Sequence, residues 1–481
     1  MFLERNTRGS QQEGGKLTKQ VTTNKMGTDS IPKVMLSMGI PMVLSMVLQA
    51  CYNIVDSMFV ARISDPSIAN LGEYAVNALT LAFPIQMLIV AFGIGTGVGV
   101  NALLARSLGQ RDHEKVAKVA GNGITLGIII YAVFLLFGLF GVKSYIGSQT
   151  NDAIVLGMGR SYLSICCIVS FGMVMFSIYE KLLQATGKTV YSTIAQISGA
   201  VVNIVLDPIL IFGYFGLPEM RIEGAAYATV IGQIISLLVA MYFHYGKNTE
   251  VQHGLKYLKL KWTIVEEIYS IGLPAIIMQA LMSFMTYGVN IIFGTVSMAA
   301  VTAYGIFYKI QQFIFFAGFG LRDAITPIVS FNFGMSDKKR VKQGIFYGIL
   351  YIEIVMFVGI VGLELFAEPL IGLFAMSSET EALCVLATRI IATGFLFAGG
   401  NIAIQGVFQA LDCGIDSLVV SLLRLFIVVL PLAWLFTKFE NATFIIWFAF
   451  PIAEAVALIV AVVLMLRANR KIIKQIREKA A

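Results

Sequence analysis

Four polar residues, Gln49, Tyr52, Asn53 and Asp56, stand together in an otherwise apolar run, the first three lying seven, four and three positions before the aspartate. That spacing places all four on one face of a helix. A second pair, Asn203 and Asp207, is four residues apart and again shares a face, and Pro208 follows it. Ionisable groups inside apolar spans are costly, and by default they mark ion or substrate paths. Two carboxylates held close together cannot both ionise cheaply, which suits reversible uptake of a proton or a small cation. The competing reading is a satisfied polar cluster that only packs helices together. Two aspartates in one half of the chain favour function over that reading.

Other costly residues are Glu180, Asp323, Glu353 and Glu454, with Lys309, Arg322, Arg389 and Arg424. Glu180 precedes Lys181 and lies near Lys188, so it either attracts a cation or pairs with Lys181 at the membrane surface. Arg322 and Asp323 are neighbours, which point about 100° apart on a helix, so each needs another partner. Arg322, Asp323 and Glu454, in the second half, either line a cavity or serve the structure. Pro41 lies 15 residues before Asp56 in the same run and offers a kink that bends at modest cost.

These residues need elements that cross a membrane. Of 481 residues 57% are hydrophobic and only 13% charged, and the mean hydropathy is +0.81. No single soluble core hides that much apolar surface. An ordinary soluble enzyme, a disordered scaffold and a nucleic-acid binder are thereby excluded. A span needs about 20 apolar residues, and the candidates fall at 33–60, 76–104, 117–142, 160–182, 190–213, 224–245, 264–293, 299–330, 342–366, 384–410, 417–437 and 443–466. Twelve spans put both chain ends on one side. Of the 35 Lys and Arg, 26 lie in the tails and connections of that side, five on the other and four within spans. This asymmetry places both ends in the cytoplasm and accounts for the net charge of +7 without a nucleic-acid partner. The five cysteines, an odd number without CxxC, point to neither a disulfide framework nor a zinc site. The three histidines are expected in polar connections. No metal site and no cofactor are expected.

The chain repeats itself. Gly109-Gln-Arg-Asp112-x3-Val116 returns as Gly334-Met-Ser-Asp337-x3-Val341, and the same offset of 225 maps Gly93, Gly95 and Gln184-Ala185 onto Gly318, Gly320 and Gln409-Ala410. Ser37-Met-Gly39-Ile-Pro41 maps onto Ser270-Ile-Gly272-Leu-Pro274. Six spans per half is an even number, so the halves are parallel repeats about an axis along the membrane normal. The expected fold is all-α, with twelve transmembrane helices in two six-helix lobes. The expected domains are a disordered tail (1–30), a first lobe (31–246), an inter-lobe linker (247–263), a second lobe (264–466) and a basic tail (467–481). Met26 offers a second start, from which residues 1–25 would be dispensable. Depths counted from Lys33 and Lys188 put Asp56 at about 35 Å and Asp207 at about 29 Å along their helices, one level once tilt is allowed. The repeat partners of Asp56, Asp207 and Glu180 are Val289, Leu430 and Gln405. The second half keeps the prolines and drops the acids, so coupling is expected in the first lobe.

The run Gly39-Ile-Pro41, Leu48-Gln49-x2-Tyr52-Asn53-Ile-Val-Asp56 and Gly109-x2-Asp112 resembles the opening of MATE (multidrug and toxic compound extrusion) transporters. So do Leu183-Gln-Ala-Thr-Gly187, Asn203-Ile-Val-Leu-Asp207-Pro208 and Gly224-Ala-Ala-x-Ala-Thr229. The resemblance covers about residues 31–466 and is nearest the DinF/MepA-type branch. It implies a V-shaped pair of lobes and efflux of cationic or amphipathic compounds coupled to H⁺ or Na⁺. It implies coupling at Asp56, Asn203 and Asp207, a substrate cavity including Gln49, Tyr52, Asn53, Tyr162, Glu180 and Thr229, and bending at Pro41 as the aspartate protonates. Members of the NorM type carry acids in spans seven and ten. Here those regions offer Gln279 or Ser283, and Asn401, which weakens a second-lobe Na⁺ site.

The expected activity is therefore antiport of small cations against H⁺, with Na⁺ at Asp56, Asn203 and Asp207 not excluded. The protein is expected in the inner membrane, among lipids, as a monomer. One rival is a flippase for lipid-linked precursors, kept alive by Arg322, Arg389 and Arg424. The other is a membrane enzyme, for which the longest connection (about 246–263) offers no catalytic constellation.

Overall fold

In a computed structural model, residues 24–60, 62–64, 68, 71–372 and 377–476 are described. Among the described residues ten helices are long and apolar enough to span a bilayer, and two bent helix pairs bring the number to twelve. In chain order they are α1 (Ile31–Val60), α2 (Leu71–Gly109), α3 (His113–Gly147), α4 (Ala153–Ile168 with Phe171–Ala185), α5 (Thr189–Phe212) and α6 (Arg221–Lys247). The second set is α7 (Trp262–Gly294), α8 (Met298–Gly334), α9 (Lys338–Gly372), α10 (Ser378–Ala392 with Phe395–Ala410), α11 (Gly414–Phe436) and α12 (Ala442–Gln475). The bends are 43° in α4 and 51° in α10, which are repeat partners. Both ends of the described chain lie on the side rich in Lys and Arg, here termed the basic side.

The repeated Gly-x-x-Asp motif is a turn with a cap. Arg111 (φ 64°) and Ser336 (φ 61°) occupy the left-handed region at equivalent positions. Asp112 then accepts from the Lys115 N–H at 2.9 Å, and Asp337 accepts from the Arg340 N–H at 2.9 Å. Each aspartate satisfies a donor left over at a helix start. The conservation of pattern between the halves is thus structural at this point.

The lobes meet through repeat-equivalent glycines. Gly95 on α2 lies against Ile276 on α7, and Gly320 on α8 against Val43 on α1. Gly109 faces the Phe331 carbonyl, and Gly334 faces the Arg106 carbonyl. These contacts are related by the repeat offsets, so they describe a pseudo-two-fold interface. Each lies in the half of its helix nearer the basic side, where the lobes join. Small residues let membrane helices approach this closely. A Cβ on Gly99 would stand 2.1 Å from the Ile268 carbonyl oxygen. Gly99→Val is therefore expected to destabilise lobe closure by about 1–3 kcal/mol. Faster maleimide labelling of a cysteine placed at Tyr269 would report it.

Three sequence expectations change, and the linker gains detail. Residues 24–30 are ordered rather than part of a free tail: Asn24 caps a helical turn (Lys25–Thr28), donates to the Thr186 carbonyl at 3.2 Å, and Met26 is fully buried. The linker is docked: Asn122 accepts from the Lys261 N–H at 2.8 Å, and Thr125 donates to the Leu258 carbonyl at 2.7 Å. His244 lies inside α6 and is buried, not in a connection. The last helix continues past 466 to Lys471, with a further turn to Gln475.

Candidate functional site

The described elements of the first lobe bring both aspartates together in the half away from the basic side. Asp56 is four residues from the end of α1, and Asp207 five from the end of α5. α5 stops where Gly213 takes φ 71°, a conformation that glycine adopts freely. The two carboxyl groups lie within hydrogen-bonding reach of each other. Asp207 is fully buried and Asn203 nearly so. Asn203 Nδ2 donates to Asp207 Oδ1 at 3.3 Å and to Thr229 Oγ1 at 3.5 Å. The remaining oxygens have no protein partner: Asp56 Oδ1, Asp207 Oδ2 and Asn203 Oδ1 are all buried and unsatisfied. A buried acceptor without a donor is expensive. Three at one place call for a proton or a cation.

Tyr52 stands one turn before Asp56 on the same face of α1, and Tyr162 is buried on α4. Gln86 on α2 holds Tyr162, donating to its hydroxyl at 3.2 Å and to Cys166 Sγ at 3.5 Å. Gln196 Nε2 donates to Gln49 Oε1 at 2.8 Å, and Ser45 donates to the other end of Gln196. Gln86 and Gln196 were not singled out from the sequence. Gln196 had a legible signal, because it lies seven residues before Asn203 on the same helical face. The side chain of Asn53 lies outside the described residues. The five cysteines are free thiols. Among the described residues no three His, Cys, Asp or Glu side chains cluster as a metal site.

Glu180 does not join this cluster. It is buried near the basic end of α4 and accepts from Gln184 Nε2 at 3.0 Å. Neither does it pair with Lys181. Lys181 is not a surface cation: its side chain is 1% exposed and its Nζ donates to Asp323 Oδ2 at 2.6 Å. Arg322 reaches the same carboxylate, through Nε at 3.1 Å and Nη2 at 2.8 Å. The expectation that Arg322 and Asp323 face apart was wrong, because the long arginine side chain folds back over its neighbour.

In the second lobe Glu454 is satisfied. Arg424 donates to its Oε1 through Nε at 2.9 Å and Nη2 at 2.7 Å, and Asn401 donates to Oε2 at 2.8 Å. Arg424 stands in a π-helical turn of α11 (Leu423–Ile427), which turns it inward. At the repeat partners of the aspartate pair the packing is apolar: Val289 is buried, and Leu430 lies against Gly288.

The chain is 25% identical over 436 residues to the multidrug export protein MepA of Staphylococcus saprophyticus, covering 91% of this chain and 94% of that one. It is 27% identical to MepA of Staphylococcus haemolyticus over 436 residues, covering 90% and 92%. Its fold matches a multidrug resistance MATE family transporter of the MOP superfamily in an outward-facing conformation, with a TM-score of 0.87, 23% identity and coverage of 94% and 98%. It also matches a MOP superfamily transporter from Pyrococcus furiosus, described as having a binding pocket of reverse polarity, with a TM-score of 0.84, 23% identity and coverage of 93% and 98%. The MatE family model matches residues 41–209 and 274–435, one segment in each lobe. The chain therefore belongs to the MatE family of multi-pass membrane proteins.

Proposed function

We propose that this protein exports cationic or amphipathic small molecules in exchange for H⁺, by alternating access between its lobes. The observation that carries the reading is the set of three buried, unsatisfied oxygens on Asp56, Asn203 and Asp207. A proton shared by the two carboxylates satisfies the aspartate oxygens in one state, and a substrate cation draws on all three oxygens in the other. The basic side is the cytoplasmic side, so both chain ends lie in the cytoplasm of a cell whose inner membrane holds the protein. The first lobe carries the exchange, and the second presents Val289 and Leu430 where it presents aspartates. Gln49, Tyr52, Tyr162 and Thr229 line the path of the substrate, with Glu180 nearer its cytoplasmic entry. Pro41 gives α1 its hinge.

The three oxygens are also hard donors of the kind that suits Na⁺, so the coupling ion needs its own test. In proteoliposomes, an imposed pH gradient without Na⁺ should drive uphill efflux of a cationic dye. Efflux that requires a Na⁺ gradient instead would replace the ion and keep the transporter. A lipid-linked cargo finds less support. Each arginine that suggested it is matched by a carboxylate: Arg322 by Asp323, Arg389 by Glu364 and Glu368, and Arg424 by Glu454. No dye movement under either gradient would reverse that judgement.

A further inference from the structure

We infer that Lys181 and Asp323, with Arg322 and Gln184, form the charge latch that holds the cytoplasmic side of the transporter shut. Lys181 belongs to α4 in the first lobe and Asp323 to α8 in the second, so their 2.6 Å contact crosses between the lobes. Both side chains are sealed from solvent, 1% and 5% exposed. The stem of Lys181 lies against Gly97, where a Cβ would come within 2.8 Å of it. The ammonium also donates to Gln184 Oε1 at 2.8 Å, and Gln184 in turn binds Glu180. The charges facing one another are thus two carboxylates, Glu180 and Asp323, and two cations, Lys181 and Arg322.

Other ion pairs cross the interface, Arg106 with Asp412 at 2.9 Å and Lys115 with Glu267 at 2.6 Å, but their side chains are 15–37% exposed. Exposed pairs contribute little. The buried pair behaves differently. When the lobes part at the cytoplasmic side, both of its charges hydrate, so an intact pair opens at small net cost. When one partner is missing, the other is stranded only in the closed state, because in the open state water reaches it. Closure therefore depends on both charges being present and in register.

The asymmetry of the cluster makes the inference specific. Asp323 neutralises two cations, whereas Lys181 is one of two cations on Asp323. Removing Asp323 strands Lys181 beside Arg322. Removing Lys181 leaves Asp323 with its bidentate arginine. The inference rests on alternating access but on neither the ion nor the substrate proposed above.

The test uses the full chain in lipid nanodiscs, with the native cysteines replaced and spin labels at Gln110→Cys and Lys339→Cys, exposed positions on the cytoplasmic face of opposite lobes. Double electron–electron resonance reads the closed and open populations without ion gradient or substrate. Asp323→Asn is expected to lower the closed-to-open ratio by at least about tenfold. Lys181→Met should lower it less. The double variant Lys181→Met/Asp323→Asn should lie closer to the parent than Asp323→Asn alone, since no ammonium is then stranded. If Asp323→Asn does not fold, Lys181→Met and Lys181→Arg carry the test: Lys181→Met should lower the ratio, and Lys181→Arg, which keeps the charge, should lie nearer the parent. Unchanged distance distributions in the single variants, or strictly additive effects in the double, would overturn the latch. Because the readout needs neither ion nor dye, its failure leaves the coupling reading standing, and the reverse also holds.

Discussion

Asp207→Asn is expected to abolish uphill dye efflux while leaving the fold in place and dye binding weakened but present through Asp56. The substitution keeps an oxygen for Asn203 Nδ2, whose 3.3 Å contact anchors the site. What it removes is the second carboxylate that competes for a shared proton. In one-for-one exchange, a gradient of one pH unit supports about tenfold accumulation of a monovalent cation. That ratio should collapse to about one in Asp207→Asn, and likewise in Asp56→Asn. Exchange of labelled for unlabelled dye at equal pH should continue, because it needs no net proton movement. Efflux by either variant with an unchanged pH dependence would remove the coupling assignment.

Arg424→Met is expected to produce a large loss of stability. It leaves Glu454 nearly enclosed and without the guanidinium that donates twice to its Oε1, the side chains being 6% and 15% exposed in the pair. Breaking such a pair from one side costs about 3–5 kcal/mol. The thermal unfolding midpoint in detergent should fall clearly. Adding Glu454→Gln should recover most of the loss, since the stranded charge is then gone and Asn401 keeps an acceptor. If the single variant is as stable as the parent, the cluster is not the second lobe's fixed point. The pair also bears on coupling. A tethered guanidinium already sits on the second lobe's carboxylate, whereas the first lobe leaves its oxygens open.

Much of this arrangement was legible in the chain. Spans of the right length, the asymmetry of Lys and Arg, and a repeat at one offset dictate the fold, because a bilayer admits few alternatives for a chain this apolar. Asp56, Asn203 and Asp207 stood out for the same reason: in lipid a charge needs a cause. The interior ion pairs were harder to read. Lys181 is close in sequence to Lys188 and a turn, so counting charges placed it at the surface. Its partner is 142 residues away on the other lobe, and no local pattern announces that. Arg322 and Asp323 were separated by helix geometry at the level of Cα directions, which a side chain as long as arginine overrides. The docking of the linker on Asn122 and Thr125 was hidden too, since it depends on backbone N–H and carbonyl groups that nearly every residue carries. Gln86 has only apolar residues three and four positions away on its helix, so no polar face marks it. Its contact with Tyr162 depends on how α2 and α4 pack.

The central claim is that proton and substrate compete for the oxygens of Asp56 and Asp207, and proton release on dye binding tests it most directly. Titration calorimetry of the purified protein, in two buffers of different ionisation enthalpy and without Na⁺, counts the protons exchanged per dye bound. The account predicts a net proton release by the parent near neutral pH, lost in Asp56→Asn/Asp207→Asn. Dye binding with no proton release by the parent, or release of equal size by the double variant, would contradict it.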